Sequence, residues 1–339
     1  MKKHCIYLIL LLLAASCSQK QNNENNVPQR KTCNAVYYWK TTFRLSDEER
    51  QFIENHKIEK LYLRYFDVYR SADFQWKTVP VPEATILFID SVPQNLEVIP
   101  TVFIDNQLFV DCDMLPIAEK LVNRILTMTE TNNVPNVREV QIDCDWTQST
   151  ETTFFAFLQM VGNLFAEHNI EVSATIRLHQ LRTKAPPVVR GVLMCYNTGG
   201  VRSPQTTNSI LSAKDVAMYA GSMKNYALPL DMAYPTFSWA VWFSDGKFQA
   251  LLRSLTTDNE NITQIKDNVY RVKEGFYCDG KFLAKDDEVR FETSDFEEIM
   301  KAKSLLEKDL KNYSVIIYHL DYKNLQKYSE DEIHKIFAH

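Results

Sequence analysis

The sequence predicts a closed parallel (β/α)8 barrel of the TIM type, with a small α+β insertion before the last strand. Three observations carry this. Eight short apolar strands alternate with helical patterns over about 300 residues. Several strands end on polar or aromatic side chains, at Arg64, Asp145, Arg177, His179, Tyr196, Asp231 and His319, and the C-terminal face of a barrel is where a site is built. The first strand lacks the glycine-rich turn that a doubly wound nucleotide-binding sheet would need.

The elements follow in order. Residues 35–39 (AVYYW) form the first strand, and 46–56 a helix opened by Ser46 and Glu49 in capping-box spacing. The second strand is 59–68; beyond it Pro80, Pro82 and Pro93 break any long element through 69–95. The third strand, 96–104, precedes a helix over 115–130 with apolar residues three and four apart. The fourth, 137–146, leads to a helix over 151–168. The fifth, 170–179, connects through Pro186 and Pro187 to the sixth, 191–196. A helix over 212–226 is capped by Ser212, the seventh strand is 227–234 and the eighth 313–322. Ser329 and Glu332 form a second capping box for a final helix, 329–337. The insertion, about 256–294, alternates apolar and polar residues around Asp279-Gly280, the pattern of an antiparallel hairpin. A helix from Asp295 to Leu310, capped by Ser294 and Glu297, returns to the barrel, so the barrel spans 34–339.

Of 339 residues, 45% are hydrophobic and 12% aromatic, enough for one large core. The formal charge is −5 with no long basic run, which excludes a nucleic-acid footprint. Neutral ligands suit such a surface better than phosphate-rich ones.

The N-terminus reads MKKH, then an apolar run, CIYLILLLLAAS, that is short for a bilayer span, then Cys17. LAASC resembles a bacterial lipobox, in which Cys17 becomes lipidated. Residues 1–16 are then a lipoprotein signal peptide and 17–33 a polar tether unable to bury anything. The expectation is a bacterial lipoprotein held at the outer membrane by an acyl chain such as palmitate, on its periplasmic or surface face. The remaining cysteines, Cys33, Cys112, Cys144, Cys195 and Cys278, show neither a disulfide framework nor zinc-ligand spacing. Cys144 and Cys195 read as small apolar residues inside strands. No P-loop, nucleophile elbow or metal triad is present, so no cofactor and no metal are expected.

The strand ends QIDCDWT (141–147), LMCYNTGG (193–200), ALPLDMAYPTFSW and VIIYHLDY resemble glycoside hydrolase family 18, the chitinase-like barrels. The first matches the family's D-x-x-D-x-D-x-E signature at Asp143 and Asp145. The second matches its M-x-Y-D stretch at Met194 and Tyr196, with Asn197 for the final Asp. In the last, Tyr318 or His319 stands where the family has tryptophan. The family's insertion before the eighth strand matches in kind. The resemblance implies a carbohydrate ligand, an oligosaccharide or polysaccharide, with Asp145 orienting it, Tyr196 hydrogen-bonding Asp145, and Asp143 in support. Two positions depart: Val140 replaces the first Asp, and Thr147 replaces the Glu that protonates the glycosidic oxygen. A hydroxyl is no proton donor near neutral pH, so that mechanism does not carry over.

Residue patterns add candidates of their own. Asp143 and Asp145 share one side of a strand. Asp145 and Asp231, on the fourth and seventh strands, form an expected catalytic pair at one mouth; alternatively, Asp231 pairs with Arg64 or Arg177. Trp239 and Trp242, and likewise Trp39 and Trp146, are stacking platforms for sugar rings or core packing. Arg177 and His319 are ligand-binding candidates, and His319 an acid or base. The expected protein is a lipid-anchored glycoside hydrolase-like barrel that acts on or binds a carbohydrate. The alternatives are a non-catalytic glycan-binding lipoprotein and a structural one.

Overall fold

The computed structural model describes residues 32–72 and 78–339. The expected signal peptide, Cys17 and nearly all of the tether lie outside the described residues. Cys33, the end of the expected tether, is instead buried, with Sγ 3.2 Å from Ser314 Oγ.

Eight parallel strands close a barrel: β1 (Asn34–Tyr38), β2 (Ile58–Ala72), β3 (Glu97–Ile104), β4 (Glu139–Asp143), β5 (Glu171–Arg177), β6 (Gly191–Met194), β7 (Leu230–Pro235) and β8 (Val315–Tyr318). Each pairs with its neighbours in sequence, and β1 closes the circle by pairing with both β2 and β8. The helices are α1 (Asp47–Asn55), α2 (Met114–Thr131), α3 (Glu151–Ala166), α4 (Ala213–Met223), α5 (Phe296–Leu306), α6 (Tyr322–Leu325) and α7 (Glu330–Phe337).

Local chemistry places the helices. Ser46 and Ser329 cap α1 and α7 with complete capping boxes, and Ser212 caps α4, as their spacing predicts. On α2, Ile117, Ala118, Leu121, Val122 and Ile125 form one buried stripe against the sheet. On α3, Phe154, Phe157 and Phe165 are fully buried, each a gain of roughly 1.5–3 kcal/mol. The cap of α5 differs from expectation: Asp295, not Ser294, accepts from the Glu298 N–H, while Ser294 Oγ donates to the Phe237 carbonyl. Among the described residues, no α-helix follows β2 or β5. Residues 78–83 turn back antiparallel along β2, with Pro80 and Pro82 on the sheet's edge, where a missing N–H is tolerated. After β5 comes a 3-10 turn, Leu178–Arg182.

Gly191 opens β6 where no side chain fits: a Cβ there would stand 2.6 Å from Ile176 Cγ1 and 2.8 Å from Leu230 Cδ2. Between β7 and α5 lies a five-stranded antiparallel sheet built from 238–244, 247–252, 262–266, 269–272 and 288–293. It begins at Ser238, upstream of the expected 256, and so takes in Trp239 and Trp242. The Asp279-Gly280 turn has φ of 50° and 72° and joins a hairpin, 276–278 with 281–283.

The barrel floor, at the strands' N-terminal ends, is an alternating charge network. Lys60 Nζ lies 2.9 Å from Glu97 and 3.9 Å from Glu139. Arg190 lies 3.7 Å from Glu139 and 3.0 Å from Asp231. Asp231 also accepts the Ser314 N–H at 2.7 Å. The expected Asp145–Asp231 pair at one mouth is therefore corrected. Asp231 precedes Met232, which pairs with the first residue of β8, so it belongs to the opposite end. Its partner is Arg190, not Arg64 or Arg177. Removing one member of a buried pair leaves the other uncompensated. Asp231→Ala should lower the unfolding free energy by about 3–5 kcal/mol in urea titrations. A loss below about 1 kcal/mol would show that this pair does not hold the floor.

Candidate functional site

The mouth is built by alternation along the strands. Tyr37 on β1 donates its hydroxyl to Gln141 Oε1 on β4 at 2.6 Å. Those strands are not neighbours, so both side chains cross the barrel interior. Alternation then sends Glu139, Gln141 and Asp143 inward, and Ser173, Thr175 and Arg177 beside them. One side of the interior is polar from floor to mouth.

Asp143 is buried and accepts Thr175 Oγ1–H at 2.6 Å. Burial raises its carboxyl above the ordinary range, opposed by Arg177 and by the Thr175 hydrogen bond. Asp145 lies past the strand end with its side chain 56% exposed. Arg177 joins the two: Nε donates to Asp145, and a second nitrogen lies 4.0 Å from Asp143. The guanidinium is held firmly charged, because the attraction of Asp143 and Asp145 outweighs a burial cost that acts the other way. Gln180 fixes this end of the barrel, accepting the Arg177 N–H at 2.8 Å and donating to the Trp146 carbonyl at 3.0 Å.

The other side is aromatic. Tyr318 lies 5.5 Å from Tyr37, 5.8 Å from Trp39 and 4.8 Å from Tyr196, the last pair stacked. Phe237 stands 5.8 Å from Tyr318 and 5.0 Å from Trp239. Arg64, bound to Asp67, covers Trp39 at 5.4 Å. Several buried polar atoms have no hydrogen-bond partner: Tyr196 Oη, Gln141 Nε2, Ser173 Oγ, the Arg177 Nη1 and His319 Nδ1.

The structure brings Asp143, Asp145, Arg177 and Tyr196 together, with Trp239 at the edge. Asn197 lies past β6, exposed, at a φ of 54°. Four expectations are corrected. Tyr196 does not hydrogen-bond Asp145; Arg177 occupies that carboxylate. Trp146 is no ligand platform: it is 1% exposed, stacked on Phe154 and edge-on to Phe155 under α3, because even positions of β4 face outward. Trp242 packs in the small core of the insertion and donates to Asp287 at 2.8 Å. His319 is no acid near neutral pH, since burial pushes it down to about 4. Trp239 Nε1 donates to the buried Glu292 at 2.8 Å, and its ring packs partly buried against the main core. Thr147 is exposed, with its N–H bound to Thr150 Oγ1 at 3.1 Å and its hydroxyl 2.9 Å from Ser149 Oγ. No carboxyl occupies the position that the resemblance assigns to the acid.

Sequence reasoning passed over Tyr37, Gln141, Thr175 and Gln180. The first three were legible as odd positions of strands whose neighbours faced inward; Gln180 left no signal. Among the described residues, no group of three or more His, Cys, Asp or Glu could hold a metal ion, and no helix is long and apolar enough to cross a membrane. Two open depressions of about 420 Å3 each lie elsewhere, one by Leu181–Ala185 and one by Thr198–Gly200.

No protein-family model matches the sequence, and neither does any curated protein. Solved structures do match in three dimensions. The chain is similar to the Bacillus cereus spore cortex-lytic enzyme SleL, with a TM-score of 0.52 and 13% identity over 91% of this chain and 75% of that one. A chitinase from Chromobacterium violaceum gives 0.52 and 8% over 91% and 99%. The Ostrinia furnacalis Group IV chitinase gives 0.50 and 11% over 91% and 100%. The fold is thus a (β/α)8 barrel of the TIM type, similar to the barrels of these proteins. At such identities the likeness concerns the fold, not the chemistry.

The buried histidine gives a pH signature. Between pH 6.5 and about 4 the unfolded chain takes a proton at His319 that the folded chain refuses. Stability therefore falls as pH falls through that window, by up to about 1.4 kcal/mol per pH unit. His56 and His339, lowered by burial as well, add to the slope. In His319→Gln, the fall in denaturation midpoint across this window should become shallower; an unchanged slope would refute the assignment.

Proposed function

We propose that the barrel mouth binds a carbohydrate and that the protein is a lipid-anchored glycan-binding barrel. The observation that carries this reading is the pairing of two surfaces at one mouth. One is an aromatic wall of Tyr318, Trp39 and Trp239; the other contains buried polar atoms of Tyr196 and Arg177 without protein partners. Sugars present apolar C–H faces and hydroxyls together, and such sites combine aromatic walls with a few convergent polar groups. Buried polar groups left unpaired cost free energy, so a ligand or water that satisfies them gains accordingly. The structural neighbours, a cortex-lytic enzyme and chitinases, support the same class of ligand.

Binding is favoured over cleavage by the exposed Thr147 and by the engagement of Asp145 with Arg177. A hydrolase needs a proton donor and a second carboxylate or an equivalent nucleophile at the scissile bond. Asp231, the other expected acid, serves the floor. The raised carboxyl of Asp143 supports a second reading, in which that residue is a proton donor.

One screen separates these readings. The full chain is titrated with chito-oligosaccharides, peptidoglycan fragments and plant and host oligosaccharides, with reducing ends assayed in parallel. Binding without release of reducing ends is expected, and Tyr318→Ala should weaken it by about tenfold or more. Reducing-end release abolished in Asp143→Asn would replace the binding reading with the hydrolytic one. Absence of binding and cleavage with every glycan would remove both.

For the anchor, Cys17→Ser should abolish incorporation of labelled palmitate and move the protein out of the membrane fraction. Unchanged labelling would place the lipid elsewhere or remove it.

A further inference from the structure

One cation beside the mouth has no acid paired to it among the described residues. The Asp143 carboxylate and three guanidinium groups, those of Arg64, Arg177 and Arg253, come within electrostatic reach of the Tyr318 phenol. Arg64 is held by Asp67, and Arg177 by Asp145. Arg253 is exposed and makes no ion pair among the described residues.

Strand register explains its position. The insertion strand 238–244 leaves directly from the C-terminal end of β7. Leu252, at the end of the returning strand, pairs with Ala240, so Arg253 comes back to the root of the insertion beside the mouth. The Asp279 carboxylate fixes the backbone there, accepting the Arg253 N–H at 2.6 Å and the Ser254 N–H at 3.3 Å. Asp321, Lys40 and Arg253 all act on His319, next to Tyr318. Lys40 is neutralised by Glu49, whereas Arg253 is not. Behind the aromatic wall, Arg177 retains one buried nitrogen that no protein acceptor meets.

A planar guanidinium offers a fork of donors that suits an anionic oxygen pair far better than a sugar hydroxyl. We infer that the saccharide taken by this mouth is anionic, its carboxylate or sulfate held by Arg253, with the unpartnered nitrogen of Arg177 as a second donor. This rests on the carbohydrate reading above. The exposed Asp145 is engaged by Arg177 and so presents a reduced barrier to an approaching anion.

The test is a titration of the full chain with matched ligands at low and high salt. Hyaluronan hexasaccharide is set against chitohexaose, sialyllactose against lactose, and a chondroitin sulfate hexasaccharide covers the sulfate arm. The acidic member should bind at least about tenfold tighter, with a preference that shrinks as salt rises. Arg253→Gln should collapse that preference to within about threefold, and Arg253→Lys should restore part of it. Arg253 is exposed, so circular dichroism of both variants should match the parent. Neutral sugars binding as tightly as acidic ones, with Arg253→Gln leaving the ratio unchanged, would overturn this inference and leave the carbohydrate reading standing. Failure of acidic and neutral sugars alike would overturn both.

Discussion

Arg177 is the side chain on which the mouth depends. Alternation along β4 sends Asp143 into the barrel and brings Asp145 to its rim, two carboxylates two residues apart. Burying a carboxylate without a partner costs several kcal/mol. The cost is met on the neighbouring strand, where Arg177 reaches both acids and Thr175 donates to the deeper one. The arginine also changes what the acids can do. Asp145 is an ion-pair partner rather than a free base, and Asp143 keeps a raised carboxyl enclosed in the interior.

The aromatic half of the mouth is a packing solution with a chemical consequence. Tyr37, Tyr196, Tyr318 and Phe237 fill the space that large side chains must fill when eight strands close. Tyrosine brings hydroxyls into that packing. Tyr37 finds Gln141, while Tyr196 finds nothing. A core built for stability alone would place phenylalanine at such a position, because an unmet buried hydroxyl is a liability. The insertion sheet completes the rim by a separate device: Glu292, bound to Arg290, Ser209 and Trp239, ties the sheet to the loop after β6.

The floor and the mouth obey one rule with different outcomes. Inward positions on β4 run Glu139, Gln141, Asp143, and the first of them joins Lys60 and Arg190 at the closed end. Asp231 shares that end. Acids on different barrel strands thus serve opposite ends, according to how far along its strand each one falls. The candidate pair of Asp145 and Asp231 failed for this reason. Asp145 does reach the mouth, just past the end of β4, but the seventh strand starts at Leu230 rather than 227, which puts Asp231 at its beginning.

The sequence by itself determined the barrel. Eight apolar strands, serine capping boxes at Ser46 and Ser329 and the Asp279-Gly280 turn are local signals, because each depends on residues within a few positions of one another. Tertiary structure decided the partners. Arg177 meets Asp145, Arg190 meets Asp231, Tyr37 meets Gln141 and Trp146 turns under α3 rather than into the mouth. The three pairings join residues 32, 41 and 104 positions apart in the chain, and a period of two tells which face a side chain takes but not which strand it will find across the barrel. Closure of the sheet sets those distances, and with them whether an acid at the mouth is a catalyst, a ligand-orienting group or half of an ion pair.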